Sequence, residues 1–291
     1  MRLLLLNVVL AAVDVDDSAP IVLRAAHALA TSAGAKLHLL HVNADERAPS
    51  DSKDGENTKA AAIMQRMVDD AGISSGAVSM HILNGDPGGA IRSIADQIRA
   101  DVIVLGKHRG ATASDAIGST ALRVVTNSWA PCLILSQPLR LPLTCVLAPV
   151  DLSDASRGAL MVALSWASAL RGADGSVSLP ALVVESPRAN RSGHSATQQT
   201  LDEALNRLRQ DAGTWANVDV SGVIVGSDDV VAAIADSIRK TNADLVVLGT
   251  RGLGVDAVGR LGSVSLGVAQ STLAAVLLVP PALWHSHSSA A

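Results

Sequence analysis

Phenylalanine and tyrosine are absent from this 291-residue chain, and Trp129, Trp166, Trp215 and Trp284 supply its only large aromatic rings. The core must therefore be aliphatic, and the ring platforms on which single-stranded nucleic acids stack are missing. Positive charge is also scarce, with 23 Lys and Arg against 27 Asp and Glu, a net charge of -4 and a pI near 6.0. That balance argues against a nucleic-acid partner, because neutralising phosphates needs a basic surface. Cys132 and Cys145 are the only cysteines and show neither CxxC nor metal-ligand spacing, so they read as buried thiols of a reducing compartment. No apolar run approaches the ~20 residues of a membrane span.

What is present is a repeat. With 48% hydrophobic and 17% charged residues the chain is globular, and its length fits two domains of roughly 145 residues. VLAAVDVDDS (9–18) returns as VLAPVDLSDAS (146–156), Gly106 as Gly249, and Gly118-Ser119 as Gly262-Ser263. The predicted domains are 1–137 and 144–281, joined by a short stiff link, Gln137 to Leu143, that carries Pro138 and Pro142. Met1-Arg2 and the apolar run behind it imitate a secretory signal. Because the same pattern recurs mid-chain it is read as structure, and the expected location is cytoplasmic.

Buried aliphatic runs predict strands at 3–13, 36–43, 77–83, 101–106 and 130–136, and again at 144–150, 177–185, 217–225, 244–249 and 274–280. Helical periodicity fills the gaps near 18–33, 57–72, 86–99, 118–128, 153–171, 196–213, 228–242 and 263–272. Strict alternation means two tandem, doubly wound, parallel α/β sheets. The polar stretches 43–58 and 186–199 read as mobile loops.

The chemistry is concentrated in GTRGLGVDAVGRLGS (249–263), a strand-to-helix turn. Two residues separate Gly249 from Gly252, nine separate Gly252 from Gly262, and Ser263 follows directly. Glycines without Cβ let backbone N–H groups converge on an anion, and the helix behind adds about half a positive charge at its start. A phosphate fits. No Walker Gly-Lys-Ser/Thr closes the turn, and the spacing is not GxGxxG.

These residues, with VLAPVDLSDASRGAL at the opening and AAVLLVP at the close, resemble the universal stress protein family, and the match runs twice along the chain. The resemblance implies five-stranded domains of the adenine nucleotide alpha-hydrolase type, in strand order 3-2-1-4-5. It also implies that the second copy binds ATP, with ADP or AMP as alternatives and Mg²⁺ held by the nucleotide. By position, Pro149 and Asp151 would line the ribose and adenine side. Val184 and Leu248 would meet the base through their main chains, and Gly249, Gly252, Gly262, Ser263 and Val264 would surround the phosphates. Two readings stand for Asp151, a ligand contact or a cap on the following helix, where Ser153 or Asp154 can cap instead and leave it free. Arg251 and Arg260 are phosphate partners or solvated loop charges. In similar proteins the fifth strands, here 130–136 and 274–280, pair with one another, so the tandem chain is expected to form an intramolecular pseudo-dimer, with homodimerisation open.

The first copy departs from the signature. Arg109 replaces its second glycine, eight residues rather than nine precede Gly118, and Ala12 stands where Pro149 does. Weak or no nucleotide binding is expected there, as relatives lacking the glycines dispense with ATP. His38 and His41, three apart on a strand, point to opposite faces and cannot share a metal; His27, His81 and His194 show no partners at ligand spacing. His108 lies in the degenerate turn, and His285 and His287 form a tail pair able to take a metal adventitiously. Without GxSxG or HExxH motifs, the readings in play are a stress-response nucleotide sensor, a slow ATPase, or a nucleotide-free scaffold.

Overall fold

The computed structural model describes residues 6–14, 19–44, 50–107, 117–187, 194–211, 217–251 and 260–281. The chain divides between Pro138 and Leu139 into two compact units.

In the first unit, β1 (Val8–Ala12), α1 (Ala19–Ala33), β2 (Lys36–Asn43), α2 (Ser50–Asp70), β3 (Val78–Asn84), α3 (Pro87–Ile98), β4 (Val102–Gly106), α4 (Ser119–Asn127) and β5 (Cys132–Leu135) alternate as anticipated. The strands run parallel in the order β3-β2-β1-β4-β5. Val9, Leu10, Ala11, Val102, Ile103 and Val104 are fully buried, which is why β1 and β4 read as unbroken aliphatic runs: an interior parallel strand has no wet face to keep polar. Toward the rim β3 opens to solvent, and Met80 is exposed.

The second unit repeats the plan with β6 (Val146–Pro149), α5 (Asp154–Ala169), β7 (Val177–Glu185), α6 (His194–Asp211), β8 (Val218–Gly226), α7 (Val230–Thr241), β9 (Leu245–Gly249), α8 (Ser263–Ser271) and β10 (Ala275–Val279). Its parallel order, β8-β7-β6-β9-β10, is again 3-2-1-4-5.

Both units fasten the start of their first strand with the aspartate that precedes their fourth. Asp101 Oδ2 accepts the amides of Asn7 at 2.7 Å and Val8 at 2.9 Å. Asp244 Oδ2 accepts the amide and hydroxyl of Thr144 at 2.8 and 2.7 Å and the amide of Cys145 at 3.1 Å, while Arg140 Nε holds Oδ1 at 3.0 Å. Each unit also carries a distinctive indole. Trp129, 39% exposed, donates to Asp96 in the first, and Trp166, 2% exposed, packs inside α5 in the second.

The polar stretches expected as loops are partly helical. α2 begins at Ser50 and α6 at His194. Their opening turns carry no apolar stripe, which hides them from periodicity. The helices are anchored further along by Ala60, Met64 and Val68, and by Leu201, Leu205 and Leu208, all buried at helical spacing.

Candidate functional site

In the second unit the winding reverses between β6 and β9, which pair at Val146↔Leu245 and Leu147↔Val246. Crevices at the carboxyl ends of such strands are where open α/β sheets take ligands. A cavity of about 240 Å³ lies there. Pro149, Asp151, Val184, Leu248, Gly249, Gly262, Ser263 and Val264 all line it. Gly252, the remaining residue singled out from the sequence, lies outside the described residues. The wall also uses Arg251, one of the two loop arginines weighed as phosphate partners, and Ser156, Leu182, Val230, Ile234 and Ser265, which the sequence reading did not name. The i, i+4 pair Val230 and Ile234 on α7 was the available signal.

Among the described residues three bonds hold the turn, two of them to strand residues. The Thr250 amide donates to the Val279 carbonyl at 2.8 Å, the Gly262 amide to the Thr250 carbonyl at 2.9 Å, and the buried Ser265 hydroxyl to the Gly249 carbonyl at 2.7 Å. The fold treats the two glycines differently. A Cβ on Gly249 would meet the Arg251 and Ala155 carbonyl oxygens at 3.0 and 3.4 Å, so the backbone leaves no room for one. On Gly262 the nearest atom would be the Thr250 oxygen at 3.5 Å, ordinary contact, and its φ of -59° suits any residue. Among the described residues nothing demands glycine at 262.

Helix starts separate into two kinds. Asp86, Ser153 and Asp229 cap α3, α5 and α7 by accepting from the amides of Gly89, Ser156 and Ala232. At α4 and α8 the N-cap is Gly118 or Gly262, with no side-chain cap bond among the described residues. These two starts line the two cavities, where first-turn N–H groups have no intrahelical partner and the helix dipole is positive.

Asp151 is engaged rather than free. Its Oδ1 accepts from the Ser153 amide at 3.0 Å and the Ser153 hydroxyl at 2.5 Å, and Ser153 in turn caps α5. Leu152 between them sits at φ 63°, a left-handed conformation that costs a side-chain-bearing residue about 1 kcal/mol or more. The cap and the cavity wall thus share one carboxylate. Arg251 lines the cavity; Arg260 is exposed at the surface.

The first unit has a counterpart cavity of about 510 Å³ at the ends of β1 and β4, lined by Asp14, His41, Asn43, Gly106, Gly118 and Ser119 among others. It is larger despite the degenerate motif. Ala121 stands where Ser265 does, so the tie to the preceding strand is missing. His41, where the second unit has Val183, is buried; its Nδ1 donates to the Val13 carbonyl at 3.1 Å, and its Nε2 lies 3.0 Å from the side-chain oxygen Oδ1 of Asn43. His108 and Arg109 lie outside the described residues, as do His285 and His287. His81 does have a partner, His38 on the neighbouring strand, 2.9 Å away between ring nitrogens.

Among the described residues no three His, Cys, Asp or Glu side chains converge as a metal site, and no helix is long and apolar enough to cross a membrane. The model of the universal stress protein family matches residues 6–136 and again 144–280. A universal stress protein from Archaeoglobus fulgidus DSM 4304 superposes with a TM-score of 0.71 at 19% identity, covering 94% of this chain and 98% of that one. A functionally unknown protein from Pseudomonas aeruginosa PAO1 gives 0.69 at 15%, covering 98% and 96%. At these identities the likeness is one of fold. No curated protein matches the sequence.

Proposed function

The chain belongs to the universal stress protein family, and on that footing we propose that it is a cytoplasmic stress-response protein, a sensor or regulator whose second unit binds ATP or a related adenine nucleotide. Gly262 carries the reading. Neither φ nor crowding by the described residues calls for glycine there, yet it stands at a helix start without a side-chain cap on the cavity wall. A bare Cα at that point lets a phosphate reach the N–H groups of Ser263 and Val264. The donor set also suits the ligand, with amides, the Ser263 hydroxyl and the Arg251 guanidinium at one end. Apolar Val184, Leu182, Ile234 and Leu248 line the same cavity and would receive a base.

The Asp151 carboxylate, braced by Ser153, faces the place for ribose hydroxyls and would accept from them. A cavity of about 240 Å³ falls below the roughly 300–1,000 Å³ usual for a ligand site, so base and ribose would fill it and the phosphates lie along the α8 start. Mg²⁺, if present, would be carried by the nucleotide's own oxygens.

Mass spectrometry of whatever is released on denaturing freshly purified protein tests the reading, together with melting in the presence of ATP, ADP and AMP. An adenine nucleotide in the released fraction and a raised melting temperature are expected, with the shift lost in Gly252→Val. A nucleotide-free preparation whose melting ignores all three compounds would leave a scaffold role instead.

A further inference from the structure

β2 and β3 pair in parallel with His38 opposite Ser79 and Leu40 opposite His81. Along a strand side chains alternate, so a residue two positions beyond Ser79 shares its face, and His81 falls diagonally across from His38. His38 Nδ1 lies 2.9 Å from His81 Nε2, with ring centroids 5.2 Å apart and planes within 19°. Both residues are half-buried at the rim of the first unit's sheet.

We propose that His38 and His81 form a two-histidine site for a borderline divalent transition ion, Zn²⁺ or Cu²⁺, with water completing the coordination. Imidazole nitrogens about 2.0–2.1 Å from a tetrahedral metal stand about 3.3 Å from each other. At adjacent corners of a square-planar ion the separation is about 2.9 Å. The observed spacing equals the second value and falls short of the first by about 0.4 Å, and binding requires each lone pair to turn from the line between the nitrogens toward the ion, by roughly 35–45°. The proton shared between the rings is not lost. It moves to the outward nitrogen of its own ring, so each imidazole stays neutral and turns a lone pair to the metal.

Lys36, two residues before His38 on the same strand, opposes a cation, but its side chain is exposed and able to swing away. The second unit has no counterpart to this pair, because β7 and β8 carry no histidine.

The test uses the full chain with His285→Ala and His287→Ala, which removes the tail histidines. Calorimetric titration with ZnCl₂ at pH 7.5 should show one ion per chain. Affinity should fall at least tenfold in His38→Gln and again in His81→Gln, each checked for an unchanged circular dichroism spectrum. Should either variant misfold, electron paramagnetic resonance of the Cu²⁺-loaded parent decides, with coupling to two nitrogens expected. Absence of Zn²⁺ binding, binding indifferent to both substitutions, or a Cu²⁺ spectrum without nitrogen coupling would overturn the proposal.

Discussion

Ser265 donates its hydroxyl to the Gly249 carbonyl at 2.7 Å, out of reach of solvent, and so joins the first turn of α8 to the last residue of β9. Ser265→Ala leaves that carbonyl buried without its donor. A loss of about 1–3 kcal/mol in urea denaturation is expected, with weaker nucleotide binding in the same variant because the phosphate end of the cavity loses its brace.

The two glycines of the turn should respond oppositely to a methyl group. Gly249→Ala drives Cβ to 3.0 Å from the Arg251 carbonyl oxygen, where backbone must give way, and should cost about 1–3 kcal/mol. Gly262→Ala makes only ordinary contacts with the described residues and should change stability by less than about 1 kcal/mol, yet weaken ATP binding tenfold or more. Paired melting and equilibrium-binding measurements decide; equal binding by wild type and Gly262→Ala would remove the argument from that residue.

Asp244→Ala strips acceptors from the Thr144 amide and hydroxyl, the Cys145 amide and Arg140 together. Chemical denaturation should show a loss of about 2–4 kcal/mol. The loss should exceed that of Asp101→Ala, whose carboxylate serves two amides at a more exposed site.

Burial pushes the Cys132 thiol from its ordinary 9.0 up to about 12, against a smaller opposing effect of the Ser128 hydroxyl. Its thiolate is the reactive form, so Cys132 should resist Ellman's reagent at pH 8 until the protein unfolds. Above pH 9.0 the unfolded chain releases this proton while the native chain keeps it. Stability should therefore fall as pH rises from 9.0 toward 12, and Cys132→Ala should flatten that slope.

Much of the architecture was legible because parallel strands buried on both faces leave uninterrupted aliphatic runs. β2 at Lys36–Asn43 and β7 at Val177–Glu185 begin and end where the residue pattern places them. Aspartates and glycines at strand ends likewise located the cavity lining. Other features have no local signature. The opening turns of α2 and α6 are polar, and only the buried anchors Met64 and Leu201 further along show that the chain is already helical. His81 looked solitary because alternation along a strand says which face a side chain takes, not which residue stands beside it. That neighbour depends on the β2–β3 register. The bracing of Asp151 by Ser153 turns on Leu152 adopting a left-handed conformation, which a leucine does not announce.

The contrast between Trp129 and Trp166 gives each unit a separate optical signal. With no tyrosine in the chain, near-ultraviolet emission comes from indole alone. After replacement of Trp215 and Trp284 by phenylalanine, red-shifted, iodide-quenchable light would report the first unit and blue-shifted, protected light the second. Denaturant titration read at two wavelengths would then reveal whether the halves melt in concert or in sequence, and which of them a ligand protects.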